Sequence, residues 1–292
     1  MVLTSSNEFQ FISNELLALS RSRHPDTKSW QAVKEAILQA ANYLREKTGQ
    51  TSAPIKLTSI EKIRYIKEKI TYDSESASGA ILKPVSGGFI LLLGKNQTTV
   101  RRRFSIAHEI GHTFFYNMEH DPPIKVLPIE LAQLLGEKKE EDICNTFARE
   151  LLIPNKLVEN DIQNLRDRNL QIIVDLAAKY VVSPEVVARK LLLDLSEFQT
   201  SIVLFLEPIQ TSNKSVWWFY GSTLRRYLRK EEEEIFKQIV SFTRERMVFP
   251  TMQQNFLSNK KVTMESYQSI PNTRAMALIT FLREKRGEVS TV

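Results

Sequence analysis

The chain has 292 residues, 42% of them hydrophobic and 25% charged, with a formal net charge of +6. This composition suits a folded protein of one large or two modest domains and excludes wholesale disorder. Apolar runs such as Phe89 to Leu93 fall far short of the about 20 residues that span a bilayer, and a single cysteine, Cys144, excludes a disulfide framework and a cysteine-rich zinc finger.

The opening stretch has no basic start and carries acids ahead of any apolar core, so no secretory signal is expected and the chain reads as cytoplasmic. Nine glycines form neither GxGxxG nor GxxxxGK[ST], which removes the usual phosphate-cradling loops. Ser20 to Lys28 is polar and leads into an amphipathic helix from Trp30 to Lys47. There Val33, Ile37, Ala40, Ala41 and Leu44 recur at helical spacing, and Thr48-Gly49 closes the run. A second helix is predicted from about Ser59 to Lys67. The period then changes to short β-type runs at Ile70 to Tyr72, Gly79 to Lys83 and Gly88 to Leu93, with a hairpin turn over Pro84 to Gly87.

Arg101 to Asn117 reads as a helix, followed by a polar stretch holding Pro122, Pro123 and Pro128. A further helix is predicted from about Lys138 to Ile153, stopped by Pro154. Lys156 to Leu195 reads as helical. Past Ser201, two strands (Ile202 to Leu206, Val216 to Tyr220), a charged helix around Lys230 to Arg246 and a last helix around Thr273 to Lys285 are expected. The chain thus divides into an N-terminal helical arm (1–54), an α+β core (55–155), a helical segment with helix-turn-helix spacing (156–198) and a smaller C-terminal α/β module (199–292). The fold class is α+β.

One short motif carries chemistry. His108-Glu109-Ile110-Gly111-His112 is an HExxH element in a helical context, and two of the chain's four histidines fall in it. Residues four apart stack on one helix face, so both imidazoles can address one ion. Zinc suits such a site, and manganese can occupy the same ligands. Glu109, beside the ion rather than on it, can act as general base toward water and later as acid toward the leaving amine. Two surface histidines on a helix are the bland alternative, but the spacing, the strand pair before it and the apolar helix around it favour a metal.

A catalytic zinc needs a third protein ligand. The metzincin continuation is excluded, because Phe115 and Met118 stand where its glycine and histidine belong, and His120 lies too close in sequence to reach back easily. A carboxylate on the next helix is the usual alternative. Glu137, Glu140, Glu141 and Glu150 are available there, and Glu141 is best placed on a flank of small residues beside Cys144 and Asn145. Glu140 stays open, since the phase of the helix is uncertain by a residue or two.

The stretch Arg103 to His112, with Glu141-x-x-Cys144-Asn145-x-Phe147-Ala148-x-x-Leu151-Leu152-x-Pro154, resembles the ImmA/IrrE-type metallopeptidases, bacterial regulatory proteases. The likeness covers roughly residues 55 to 195. It implies a minimal-zincin-like core with zinc held by His108, His112 and Glu141, Glu109 as the catalytic carboxylate, and Asn145 supporting a ligand. It also implies a substrate, a helix-turn-helix transcriptional repressor whose loss induces a stress or mobile-element response, and a GAF-like sensor module at the C-terminus.

Asp175 to Leu191 offers a rival reading, a regulator that binds DNA or a partner while the metal serves structure or sensing. Its second helix is poor in base-reading side chains: Glu185 repels phosphate, and Arg189 and Lys190 come late. A structural helical pair is the preferred reading. Arg101-Arg102-Arg103 could steer an acidic substrate or simply connect strand to helix, and Cys144 invites a redox role although packing is commoner. No feature specifies an oligomeric state or a membrane contact.

Overall fold

A computed structural model describes residues 27–73, 79–125, 129–163, 170–195, 201–211, 214–222, 252–257, 260–268 and 275–281. The chain divides into two compact units, one comprising residues 1–163 with 178–183, the other residues 164–177 with 184–292.

In the first unit, α1 (Thr27–Lys47) ends as its sequence dictates. Gly49 sits at φ +66°, the N–H of Gln50 donates to the carbonyl of Arg45 (2.9 Å), and that of Gly49 donates to Glu46 (3.0 Å). This is a Schellman cap, which needs a residue without a Cβ penalty in the left-handed region. Helix α1 packs on α4 (Ile129–Leu152), burying Ala36, Ile37, Ala40, Ala41 and Leu44. Helix α2 (Leu57–Ile63) is shorter than its charge pattern suggests: Tyr65 turns to φ +57°, and strand β1 (Ile66–Tyr72) starts within the stretch read as helix.

Strand β1 pairs parallel with β3 (Gly88–Gly94), and β3 pairs antiparallel with β2 (Ala80–Val85), so β2 is an edge of this three-stranded sheet. Only Ser86 and Gly87 separate β2 from β3, within the turn expected from Pro84 to Gly87. Phe89, Leu91 and Leu93 alternate onto one face and are fully buried. At about 1.5–3 kcal/mol each, those three side chains match a large share of a domain's net stability, so the face must be covered. Helix α3 (Thr99–His112) packs against β2 and β3, with Ile106, Ala107 and Ile110 buried. Thr98 caps it, its hydroxyl accepting from the N–H of Arg101 (3.4 Å). The helix ends at His112 rather than near Asn117. A 3-10 turn (Thr113–Phe115) follows, then a two-residue hairpin of β4 (Tyr116–Asn117) and β5 (Ile124–Lys125).

Helix α4 begins at Ile129, nine residues before the predicted start, directly after Pro128. It lies along α3 and stops at Pro154 as expected. Lys156 to Leu195 resolves into α5 (Asn155–Gln163), α6 (Leu170–Tyr180), α7 (Pro184–Arg189) and a π turn (Lys190–Asp194). Between α6 and α7, Val181 adopts φ +53°, which is strained for a β-branched residue.

Arg103 is the clamp on this turn. Its Nε donates to the carbonyl of Val181 (3.0 Å) and its guanidinium donates to that of Ile55 (3.0 Å). Arg102 donates to the hydroxyl of Thr71 (2.8 Å). Two of the three consecutive arginines are thus fastened to the fold rather than offered to a substrate.

In the second unit, the described C-terminal strands form one antiparallel sheet of order β7-β6-β10-β9-β8: β6 (Ser201–Thr211), β7 (Lys214–Ser222), β8 (Met252–Leu257), β9 (Lys260–Gln268) and β10 (Ala275–Phe281). The two strands expected after Ser201 are present. The helix predicted over Thr273 to Lys285 is instead β10, paired on both sides. A short, mostly apolar run such as Ala275 to Phe281 cannot be told from a buried helix by periodicity alone. The charged helix around Lys230 to Arg246 and the first part of the N-terminal arm lie outside the described residues. The mixed α+β architecture with small sheets matches the expected class.

The strain at Val181 predicts a gain from relieving it. Arg103 contacts only the carbonyl of that residue, and asparagine tolerates the left-handed region far better than valine. Val181→Asn should stabilise the protein by about 1 kcal/mol; a lower denaturation midpoint in a thermal melt would contradict this.

Candidate metal centre

Helix α3 sets His108 and His112 one turn apart, with their Nε2 atoms 3.0 Å from each other. Helix α4 supplies Glu141, whose two carboxylate oxygens lie 2.9 Å from His108 Nε2 and 3.1 Å from His112 Nε2. The helices come this close because Gly111 faces Cys144: a Cβ on Gly111 would lie 3.2 Å from the Cα of Cys144 and 3.3 Å from Phe147. The small flank noticed in the sequence around Cys144 is therefore the contact surface.

The far sides of both rings are already committed. His108 Nδ1 donates to the amide oxygen of Asn145 (3.0 Å), and His112 Nδ1 donates to Glu140 (2.8 Å). With a proton on each Nδ1, each Nε2 presents a lone pair. Two ring nitrogens and a carboxylate then converge as acceptors with no donor among them. One proton can bridge two such atoms, whereas one divalent cation meets all three. Ligands about 2.0–2.1 Å from zinc in a tetrahedron sit roughly 3.3 Å apart, so separations of 2.9–3.1 Å fit that ion after a slight opening. The donor set is the borderline-hard nitrogen and oxygen mixture that zinc favours.

Glu109 faces the same place, its oxygen and the histidine nitrogens all within 4.8 Å of one another. The backbone N–H of Leu82, on edge strand β2, donates to Glu109 Oε2 (3.0 Å) and pins the carboxylate between sheet and histidines. Glu109 is 8% exposed. Burial pushes its carboxyl up to about 7, against the pull of His112 and the Leu82 hydrogen bond. A group poised there can take and return a proton at neutral pH. Burial, joined by the charge of His112, holds His108 below the usual histidine range. Burial pulls His112 down as well, but its bond to Glu140 and the nearby carboxylates outweigh that and raise it. Glu141 is half exposed, at 53% of its side chain, so solvent reaches the centre from its side.

The structure therefore brings His108, Glu109, His112, Glu141 and Asn145 together. Glu140, held open as a third ligand, turns to the opposite nitrogen of His112 and also accepts from Lys125 (2.9 Å). Sequence reasoning missed Leu82 and Lys125: a backbone donor leaves no residue signature, and Lys125 lies in a short hairpin without periodicity. His120 is not part of the cluster. Cys144 is buried, and desolvation drives its thiol well above the ordinary value, which fits packing rather than redox chemistry. In the segment with helix-turn-helix spacing, Arg189 donates to Glu185 on its own helix (3.0 Å) and Lys190 is fully buried. The cations that a groove-reading helix would need are thus engaged or hidden.

Residues 63–192 match the family model Peptidase_M78, the IrrE N-terminal-like domain. That segment belongs to this family. The IrrE-like segment contains every residue of the cluster and agrees with the resemblance read from the sequence. Among solved structures, a Mycobacterium tuberculosis transcriptional regulator is similar at 12% identity, over 94% of this chain and 80% of its own, with a TM-score of 0.46. No curated protein matches the chain.

Burial of Glu109 makes a stability prediction for the metal-free protein. Its carboxyl is raised from 4.5 to about 7 in the fold, so the unfolded chain loses this proton first and stability falls as pH rises from about 4.5 to 7. Glu109→Gln removes that loss. The metal-free variant should match wild type near pH 4 and exceed it above pH 7 by roughly 2–3 kcal/mol. Denaturant titrations at both pH values measure this, and a pH-independent difference would overturn it.

Proposed function

We propose that this protein is a zinc-dependent endopeptidase in which His108, His112 and Glu141 hold the metal and Glu109 is the general base. The observation that carries this reading is the convergence of three acceptor atoms from two helices at 2.9–3.1 Å, with a buried carboxylate alongside. The IrrE N-terminal-like match over the same residues supports a metallopeptidase.

Bound zinc would supply Lewis acidity toward the scissile carbonyl and make water a better nucleophile near neutral pH. The chain's own residues do the rest. Glu109, fixed by Leu82, takes the proton of the attacking water and later delivers it to the leaving amine, a return trip suited to a carboxyl near 7. Asn145 orients His108 so that Nε2 faces the centre. Phe115, buried after α3, lies beside the His112 ring with centroids 6.4 Å apart, while the half-exposed Glu141 side is the one we assign to substrate entry.

The substrate we assign is a helix-turn-helix transcriptional repressor, on the strength of the family resemblance, with cleavage inducing a stress or mobile-element response in the cytoplasm. Among the described residues no helix is long and apolar enough to cross a membrane. DNA binding through α7 is not adopted, given the engagement of Arg189 and the burial of Lys190.

Incubation of the full chain and zinc with helix-turn-helix repressors from the same genome neighbourhood tests this. Metal-dependent fragments are expected, detected by mass spectrometry. Glu109→Gln should keep stoichiometric zinc yet lose about 10²–10⁴-fold in cleavage rate; equal cleavage by that variant would refute the mechanism.

A further inference from the structure

Glu140 and Lys125 form a chain of contacts behind the metal centre. The side chain of Glu140 is only 7% exposed, and its two oxygens are used differently. Oε1 accepts from His112 Nδ1 at 2.8 Å, and Oε2 accepts from Lys125 Nζ at 2.9 Å. Lys125 lies at the end of β5, paired in register with Tyr116 on β4, four residues after His112. The loop of this hairpin is fixed at a second point. Asp121 accepts from the Ser86 hydroxyl (2.9 Å) and from the Gly87 N–H (2.6 Å), tying it to the β2–β3 turn. The Lys125 arm is therefore anchored at its own strand and at the sheet before it meets Glu140.

We propose that Glu140, held by Lys125, is the positioning residue for His112, and that the β4–β5 hairpin thereby sets the affinity of the centre for its metal. The inference rests on the zinc reading given above. A carboxylate that accepts from Nδ1–H fixes the tautomer, locks the ring plane and makes the opposite nitrogen a stronger donor. His108 receives the weaker, neutral counterpart from Asn145. The two histidines thus differ in kind: one is oriented by an amide of the neighbouring helix, the other by a carboxylate whose second oxygen reports on the hairpin. A buried carboxylate without a cation partner would be costly, and Lys125 is the cation that engages the Glu140 oxygen turned away from His112.

Two measurements test this on the full chain. Zinc affinity is read by chelator competition for wild type, Glu140→Gln, Glu140→Leu and Lys125→Met, with Lys95→Met as a surface control that breaks only the exposed pair with Asp73. In the metal-free protein, long-range ¹H–¹⁵N correlation reads the tautomer of His112 directly. Glu140→Leu should weaken zinc binding about 10- to 100-fold and lose the Nδ1–H tautomer. Glu140→Gln, which keeps an acceptor, should restore the tautomer with part of the affinity, and Lys125→Met should weaken affinity by a smaller factor. Unchanged affinity and tautomer in Glu140→Leu, or no effect of Lys125→Met, would overturn the proposal. So would loss of zinc by Glu140→Gln as complete as that by His112→Ala, which would make Glu140 a ligand. Failure of the wild type itself to bind zinc would instead defeat the underlying metal reading. Circular dichroism of each variant separates these outcomes from misfolding, and Lys125→Met, at a 45% exposed side chain, keeps the test independent of the buried site.

Discussion

Everything in the centre follows from how near two helices can lie. Gly111 and Cys144 meet where α3 and α4 pack, and a Cβ added at Gly111 would press on the Cα of Cys144 at 3.2 Å, so the facing atoms would have to give by a few tenths of an ångström. His108 and His112 flank Gly111 on one helix; Glu141 and Asn145 flank Cys144 on the other. A carboxylate side chain is short, so Glu141 reaches both Nε2 atoms only at this separation. The middle positions of HExxH are often treated as spacers. Here the glycine among them faces the backbone of α4 and favours the close approach that brings the third acceptor in.

That contact is kept in place from outside the centre. The buried face of β3 drives α3 onto the sheet, and the N–H of Leu82 on the edge strand then finds Glu109 within hydrogen-bond reach. At the other end of α3, the fully buried Arg64 donates to the Thr113 hydroxyl (2.8 Å), and its guanidinium lies 4.2 Å from the Phe114 ring centroid. Burial brings that guanidinium down to about 9, so it remains charged at neutral pH. It therefore marks the helix end with a cation, the sign that suits a C-terminal dipole. Arg103 does comparable work a turn before the motif by collecting two backbone carbonyls. The basic residues around α3 act chiefly as fasteners, which explains how a chain of net charge +6 can carry an arginine triplet without presenting all of it to a partner.

Much of this was legible in the residues. The Schellman end of α1, the turn before Gly88, the HExxH helix and the stop at Pro154 all follow from local rules with little tertiary context. The choice between Glu140 and Glu141 was legible only in part: the flank of small residues beside Cys144 favoured Glu141, but Glu140 stayed open. Neighbouring residues on a helix differ by about 100° of rotation, and the phase is set by which stripe meets α3, a fact about packing rather than pattern. The misread β10 has the same origin: Ala275 to Phe281 is apolar except for Thr280, and only its neighbours β6 and β9 make it a strand. Strand β1 was half hidden because its surface is charged, leaving Ile66 as its one buried residue.

The adjacency of Glu140 and Glu141 shows how a helix can place two carboxylates on opposite sides of one imidazole. Glu141 approaches Nε2 from a half-exposed position, where water can still shield it when no cation is present. Glu140 approaches Nδ1 from a buried one, where it is held ionised by hydrogen bonds from His112 and Lys125 that outweigh the cost of burial. Exchanging their exposures would fail twice. A buried carboxylate facing two lone pairs would be repelled whenever the metal left, and an exposed one on Nδ1 would lose its grip on the ring to competing water. The asymmetry in burial thus keeps the His112 ring oriented from its buried side while its other nitrogen faces the half-exposed Glu141.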